Sequence, residues 1–274
     1  MAAEWWQEKL YPTVAQSFLI RTLFETRSPY QHIVIAEHDV AGRMLILDGI
    51  VQITEADAAV YQEMMAHVPL LGLEHAAANV LIVGGGDGAI AREVLRHPEV
   101  KRLVMVELDQ TVIDACKQWL PSLTCDYADP RLELVVEDAA KYVARAPAAH
   151  FDAAIVDSPD PIGPAEVLFS SDFYSHIRRL LTPQGAAVFQ SGVPFFQADE
   201  TAGIARRLRA LFSQVAVYQA AVPTYYGGSM ALTLASNSTR SFETPRHDFT
   251  GQYYNARIHS AAFALPTWWQ DKLQ

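Results

Sequence analysis

From Asn79 onward, short apolar runs alternate with stretches whose apolar positions recur at helical spacing. The runs predict strands at Val80–Val83, Leu103–Glu107, Leu132–Val136, Ala153–Val156 and Ala186–Gln190. Helices are expected between them over Ile90–Arg96, Val112–Trp119, Ala140–Arg145 and Phe173–Leu181. Such alternation implies a parallel sheet covered by helices on both faces. A further helix over Ala202–Phe212 precedes Val215–Tyr218 and Ala231–Ala235, which read as a closing hairpin edge. The one loop-rich insert is Asp157–Glu166, with three prolines and a glycine.

Ahead of Asn79 the pattern differs. Short β-rich runs at Phe18–Thr22, Ile33–Ala36, Met44–Leu47 and Val51–Thr54 are separated by Ser28-Pro29, Ala41-Gly42 and Asp48-Gly49. This reads as a small antiparallel unit. A helix over Ala58–Leu71 follows, with Tyr61, Met64, Met65 and Val68 at helical spacing. The division expected is an N-terminal β domain over 1–55 and an α/β domain over 56–274.

Bulk numbers narrow the function classes. Half of the 274 residues are hydrophobic, enough for a sizeable core. A formal charge of -10, from 31 acids against 21 bases, argues against a nucleic-acid partner. No apolar run is long enough to span a membrane, and the first residues lack the layout of a signal peptide. Cys116 and Cys125 have no zinc-type spacing, and neither do the nine histidines. A soluble protein of a reducing, cytoplasmic compartment is expected.

Chemistry concentrates at residues 80–93, where a strand runs into Gly84-Gly85-Gly86-Asp87-Gly88 and a helix opens. Glycines let the backbone turn tightly and approach a nucleoside closely. A carboxylate in that turn disfavours phosphate and favours a ligand with positive charge, such as a sulfonium. Ligands of open α/β sheets bind beyond the carboxyl ends of the strands. Acids stand there after four successive strands: Asp87, Glu107 with Asp109, Asp138, and Asp157 with Asp160. Singly, each is as readily a turn or a helix cap, Asp109 and Asp138 above all. Together they would repel one another unless cations neutralise them. Glu107, about 20 residues beyond the glycine turn, suits hydrogen bonding to ribose hydroxyls. Asp138 is placed to accept from an adenine amino group. Tyr61 and Tyr225 could wall an alkyl chain, the competing view being core or surface tyrosines; the loop-like string Pro223–Gly228 favours a site role for Tyr225.

The chain resembles the polyamine aminopropyltransferases, the spermidine synthase family, from about Trp5 to the C-terminus. The motifs are Tyr30-Gln31, Leu47–Gln52, Tyr61–Met64, the glycine turn 84–88, Asp157–Pro164, Tyr253–Asn255 and His259–Phe263. The resemblance implies a Rossmann-like, methyltransferase-type sheet with the small N-terminal β domain, and a homodimer or homotetramer. It implies transfer of an aminopropyl group from decarboxylated S-adenosylmethionine, a co-substrate, to putrescine. No cofactor or metal is implied. By motif, Gln31, Glu107, Asp138, Ala139 and Pro164 would hold the nucleoside and Asp87 the aminopropyl amine. Tyr61, Gln62, Ser158, Pro159, Asp160 and Tyr225 would shape the diamine site, with Asp87 and Asp157 facing it. Asp157 would be the proton acceptor. The chain departs from the family pattern at Ala58-Ala59, Gln62, Ala139 and Pro159. The first pair and Pro159 lie near the expected acceptor pocket.

Three readings stay open on the sequence: spermidine formation or transfer to another amine (cadaverine, agmatine, spermidine), methyl transfer from intact S-adenosylmethionine, and non-catalytic polyamine or nucleoside binding. Asp87 argues against the second, because it would repel the methionyl carboxylate. A base at Asp157 argues against the third.

Overall fold

The structure is a computed structural model that describes residues 3–158 and 163–273, with the backbone alone at 163–165. Two sheets organise the chain. The first holds β1 (Glu4–Tyr11), β2 (Val14–Arg27), β3 (His32–His38), β4 (Gly42–Leu47) and β5 (Ile50–Thr54), antiparallel in chain order. It curls enough for the Trp6 indole N–H to donate to the Gly49 carbonyl in the β4–β5 turn, at 3.1 Å. β1 and the two ends of β2, Val14–Ser17 and Leu23–Arg27, were not expected. Charged residues blur the alternation of β1, an edge strand that exposes much of both faces.

Helix α1 (Ala58–Gly72) leads into the second sheet, whose spatial order is β11-β12-β10-β9-β6-β7-β8. Its parallel strands are β6 (Asn79–Gly84), β7 (Arg102–Glu107), β8 (Leu132–Val136), β9 (Phe151–Asp157) and β10 (Leu181–Gln190). An antiparallel hairpin, β11 (Gln214–Ala221) and β12 (Ser229–Ser236), closes one edge with β12 inside. The helices are α2 (Ala89–Leu95), α3 (Gln110–Trp119), α4 (Ala139–Arg145), α5 (Ser171–Leu180), α6 (Pro194–Arg209), α7 (Ala256–Ala262) and α8 (Thr267–Leu273). α6 begins earlier than its pattern suggests, because Pro194 opens it and a kink at Gln197 breaks the periodicity. The two short C-terminal helices carry too few turns to announce themselves in sequence.

Alternation along the strands builds two cores. Ile82, Met105, Ile155, Val188 and Leu234 point to the side covered by α1 and α2. Leu81, Val104, Ala154, Ala187 and Ala235 point to the side that holds Val143 of α4, Ile177 of α5 and Ile204 of α6. A third apolar layer joins the sheets, with Ile33, Ile35, Leu45 and Ile53 against Ala89, Val112 and Cys116. Ala58 packs in this layer, so its small side chain serves the contact between sheets. α1 is buried along its whole length rather than on one stripe. After β6 the chain runs outward through β7 and β8, then returns to lay β9 on the other side of β6. The crevice at that reversal is where such sheets bind ligands.

Candidate active site

β6 and β9 end together at the reversal, with Gly84 in register with Asp157. Gly84 has φ of 82°, and a methyl built there would overlap the Asp157 carbonyl, so the position admits no side chain. Beyond it the turn runs between two carboxylates. A Cβ on Gly85 would lie 3.9 Å from Asp157 Oδ2, and one on Gly86 would lie 2.9 Å from Glu107 Oε2. The glycines thus let the backbone pass between acids supplied by β9 and β7. Asp87 ends the turn, its Oδ1 accepting from Ala89 N–H at 2.8 Å.

Asp157, Glu107 and Asp87 keep some contact with solvent in the crevice, yet protein surrounds them closely enough to disfavour charge. Burial pushes Asp157 up to about 7, and the charges of Asp87 and Glu107 add to it. Glu107 is likewise raised to about 7, first by burial and then by Asp109 and Asp87. Backbone N–H groups oppose that rise, including Asp109 N–H at 2.9 Å. Asp87 is raised by burial, against its Ala89 hydrogen bond and the charge of Arg92. Three acids therefore share one region that a cation would relieve.

Tyr61, from the first turns of α1, donates its hydroxyl to Asp157 Oδ1 at 2.8 Å. Tyr225, in the β11–β12 turn, packs edge-on against the Tyr61 ring with centroids 6.0 Å apart. Its hydroxyl donates to the Gln52 carbonyl at 2.7 Å. Both phenols are held well above their ordinary range, chiefly by burial and then by the Asp157 charge, so they remain donors. Gln62 is buried beside Tyr61 in sequence, and its amide oxygen has no hydrogen-bond partner among the described residues. Ser158 is buried next to Asp157.

The remaining candidates fall elsewhere. Gln31 donates its amide to Asp109 Oδ2 at 3.0 Å, joined there by the Ser28 hydroxyl at 2.6 Å. Asp109 Oδ1 meanwhile caps α3 through Thr111 N–H. This acid therefore docks the β2–β3 turn beside Glu107. Asp138 does not join the buried group: it caps α4 through Ala140 and Lys141 N–H, and its Oδ2 lies 3.7 Å from Lys141 Nζ. Ala139 is the first residue of that helix. Pro159, Asp160 and the side chain of Pro164 lie outside the described residues.

Two further features were not legible beforehand. The Tyr127 hydroxyl donates to the Gly86 carbonyl at 3.4 Å, roofing the glycine turn from an irregular segment without periodicity. Glu63, His67 and Glu93 bring ligand-type atoms within 4.8 Å of one another, all buried. Glu63 accepts from the N–H groups of Gln252, Tyr253 and Tyr254, while Arg92 and Arg96 bind Glu93. Those oxygens are engaged and their charge is met, so the group works as a structural clamp on the C-terminal segment.

Comparison with known proteins agrees with this geometry. Residues 58–245 match the spermine/spermidine synthase domain family, and residues 4–55 match the spermidine synthase tetramerisation domain. The polyamine aminopropyltransferase 1 of Pseudomonas aeruginosa is 47% identical over 95% of this chain and 94% of its own length. The polyamine aminopropyltransferase of Shigella boydii is 44% identical over 98% and 96%. A crystal structure of spermidine synthase in complex with the transition state analogue AdoDATO superposes with a TM-score of 0.93 at 32% identity, covering 98% of this chain and 94% of that one. Spermidine synthase from Thermotoga maritima superposes with a TM-score of 0.91 at 32% identity over the same shares. A glycine turn threaded between the crevice acids, on a chain matched almost end to end, identifies this protein as a transferase of the polyamine aminopropyltransferase (spermidine synthase) family.

Proposed function

We propose that the enzyme transfers the aminopropyl group of decarboxylated S-adenosylmethionine to putrescine, giving spermidine and 5′-methylthioadenosine. The observation that carries this is the Asp157 carboxyl, raised to about 7 and hydrogen-bonded by Tyr61 in a region shared with Asp87 and Glu107. The donor bears a sulfonium and an ammonium and has lost its carboxylate, so it supplies the positive charge these acids lack.

The acceptor must attack as a neutral amine. With a pKa near that of lysine, about 10.4, deprotonation at pH 7 costs roughly 4–5 kcal/mol. A carboxylate whose own pKa is about 7 is a better-matched base than an ordinary aspartate, and the nearby sulfonium lowers the amine's pKa. The amine nitrogen forms a bond to the methylene next to sulfur as the C–S bond breaks. The electron pair returns to sulfur, giving the neutral thioether, and the proton passes to Asp157. A sulfonium leaves readily, so alignment supplies most of the catalysis and no metal or redox cofactor is required.

Glu107 would hold the ribose and Asp87 the aminopropyl ammonium, with Gln31, Asp138, Ala139 and Pro164 toward the nucleoside. Tyr61 and Tyr225 would wall the methylene chain. By the family motif Gln62, Ser158, Pro159 and Asp160 would complete the diamine side, and the Gln62 amide oxygen, without a hydrogen-bond partner among the described residues, would accept from an amine. A homodimer or homotetramer in the cytoplasm belongs to the same reading. The match to a tetramerisation domain and two buried free thiols support it. The deciding experiment gives purified enzyme the decarboxylated donor and a panel of putrescine, cadaverine, agmatine and spermidine, with products separated by chromatography. Putrescine as the best acceptor is expected. Preference for another amine would replace the substrate, and turnover with none would remove the reaction.

A further inference from the structure

Asp57 stands at the N-cap position of α1, where an aspartate ordinarily accepts from the first N–H groups of its own helix. It makes no such bond. Both its oxygens are used elsewhere: Oδ1 accepts from the Thr54 hydroxyl at 2.7 Å, and Oδ2 accepts from the N–H and the hydroxyl of Thr224, at 2.8 and 2.6 Å. The carboxylate is only 6% exposed. A buried acid diverted from capping to a residue 167 positions away has a purpose at that residue.

Thr224 precedes Tyr225 in the turn between β11 and β12. That turn closes on itself through Val222 N–H to the Gly228 carbonyl and Gly228 N–H to the Tyr225 carbonyl. Its last two residues, Gly227 and Gly228, have positive φ. External bonds therefore decide where its side chains point. Thr224 is gripped at every polar atom, its carbonyl accepting from Gln16 Nε2 at 2.7 Å. Tyr226 donates to the Glu8 carbonyl and accepts from Gln16 N–H, tying the next residue to β1 and β2. Between these two ties stands Tyr225, with its hydroxyl on Gln52 and its ring against Tyr61.

We infer that Asp57 is a positioning residue for the acceptor amine. By fixing Thr224 it sets the place of the Tyr225 ring against Tyr61, without touching substrate itself. The inference rests on the reading of Tyr225 as a wall of the diamine site. Glu107 and Asp157 end β7 and β9 and Asp87 lies in the turn after β6, so loss of Asp57 leaves the nucleoside half and the base in place.

The test compares Asp57→Ala, Asp57→Asn and Thr224→Val in steady-state kinetics, alongside calorimetric binding of 5′-methylthioadenosine. Asp57→Ala is expected to raise the amine KM by about tenfold or more, with nucleoside binding within about twofold. Asp57→Asn is the rescue, because its amide oxygen can accept from Thr224 while its NH2 donates to Thr54. It should stay within about threefold of wild type in amine KM, since geometry rather than charge is what the turn needs. An unchanged amine KM in Asp57→Ala overturns the inference, and so do equal losses for amine and nucleoside, which mark a purely structural residue. If Asp57→Ala does not fold, Thr224→Val decides. It removes one of the two bonds, and an amine KM equal to wild type refutes the proposal. The wild-type amine panel is read separately, so a different preferred amine changes the probe and leaves the comparison intact.

Discussion

The base role proposed for Asp157 pulls against the stability of the ligand-free protein. Raised to about 7, its carboxyl would be matched to taking a proton from an amine, but its charged form is disfavoured in the crevice. Its folded pKa lies above its unfolded one, so its contribution to stability is full below pH 4 and is lost as pH rises through 7. Asp157→Asn should therefore stabilise the ligand-free protein at pH 8 by on the order of 1–3 kcal/mol, after allowance for solvent in the crevice. The gain should vanish near pH 4, as thermal melts across pH will show. The same variant should lose at least about two orders of magnitude in turnover while still binding 5′-methylthioadenosine. Near-normal turnover would remove Asp157 as the base. Asp87 makes a parallel point about charge. Asp87→Asn should weaken the decarboxylated donor by about tenfold more than the neutral thioether product, and equal losses in calorimetry would rule out an ammonium contact.

At the scale of elements, the C-terminal segment is held to α1 and α2 by a clamp that acid should open. His67 Nδ1 and His97 Nε2 are 2.9 Å apart, and Phe249 stacks on the His97 ring with centroids 4.7 Å apart. Burial lowers His97 to about 3, and the charges of His67, His247, Arg96 and Arg246 add to that. Burial also lowers His67, against the pull of Glu93 and Glu63. Hydrogen bonds from His67 and Arg96 outweigh burial at Glu93 and bring it to about 2. A lowered histidine gives stability that is complete above pH 6.5 and is lost as pH falls toward 3. Wild-type stability should fall by about 2 kcal/mol from His97 alone between pH 6.5 and 5. His97→Gln should be less stable at pH 8 but show a shallower acid loss in denaturant titrations. An unchanged slope would assign the acid sensitivity elsewhere.

For the molecule as a whole, the five-stranded sheet has an outward apolar pair. Trp5 and Leu19 face each other across β1 and β2, and Trp5 is 72% exposed. The residues that match a tetramerisation domain include both. Trp5→Glu should shift the assembly toward smaller species in light scattering while leaving the fold intact by circular dichroism, whereas an unchanged mass would take this pair out of the interface. The same sheet supplies Glu8, Gln16, Gln52 and Thr54 to the β11–β12 turn or its Asp57 tie, so it helps to hold that turn in place.

Much of this architecture was legible from local pattern. The parallel strands from Val80 to Gln190, the helices between them and the closing hairpin follow from hydrophobic period, which depends only on near neighbours. The glycine turn and the acids at strand ends were equally readable, because a sheet's carboxyl edge is fixed once its strands are. Which acids share a site was not. Asp138 and Asp109 have the same sequence signature as Asp157, yet they cap helices, while Asp157 meets Glu107 and Asp87 only because β9 returns beside β6. The Tyr61–Asp157 bond spans 96 positions and the Asp57–Thr224 tie 167. Burial, and with it the raised pKa values of these acids, is a property of the assembled crevice. The sequence by itself determined the elements and their chemical inventory. The tertiary structure decided which carboxylates lose water together, because desolvation and charge repulsion act across distances that no local pattern records.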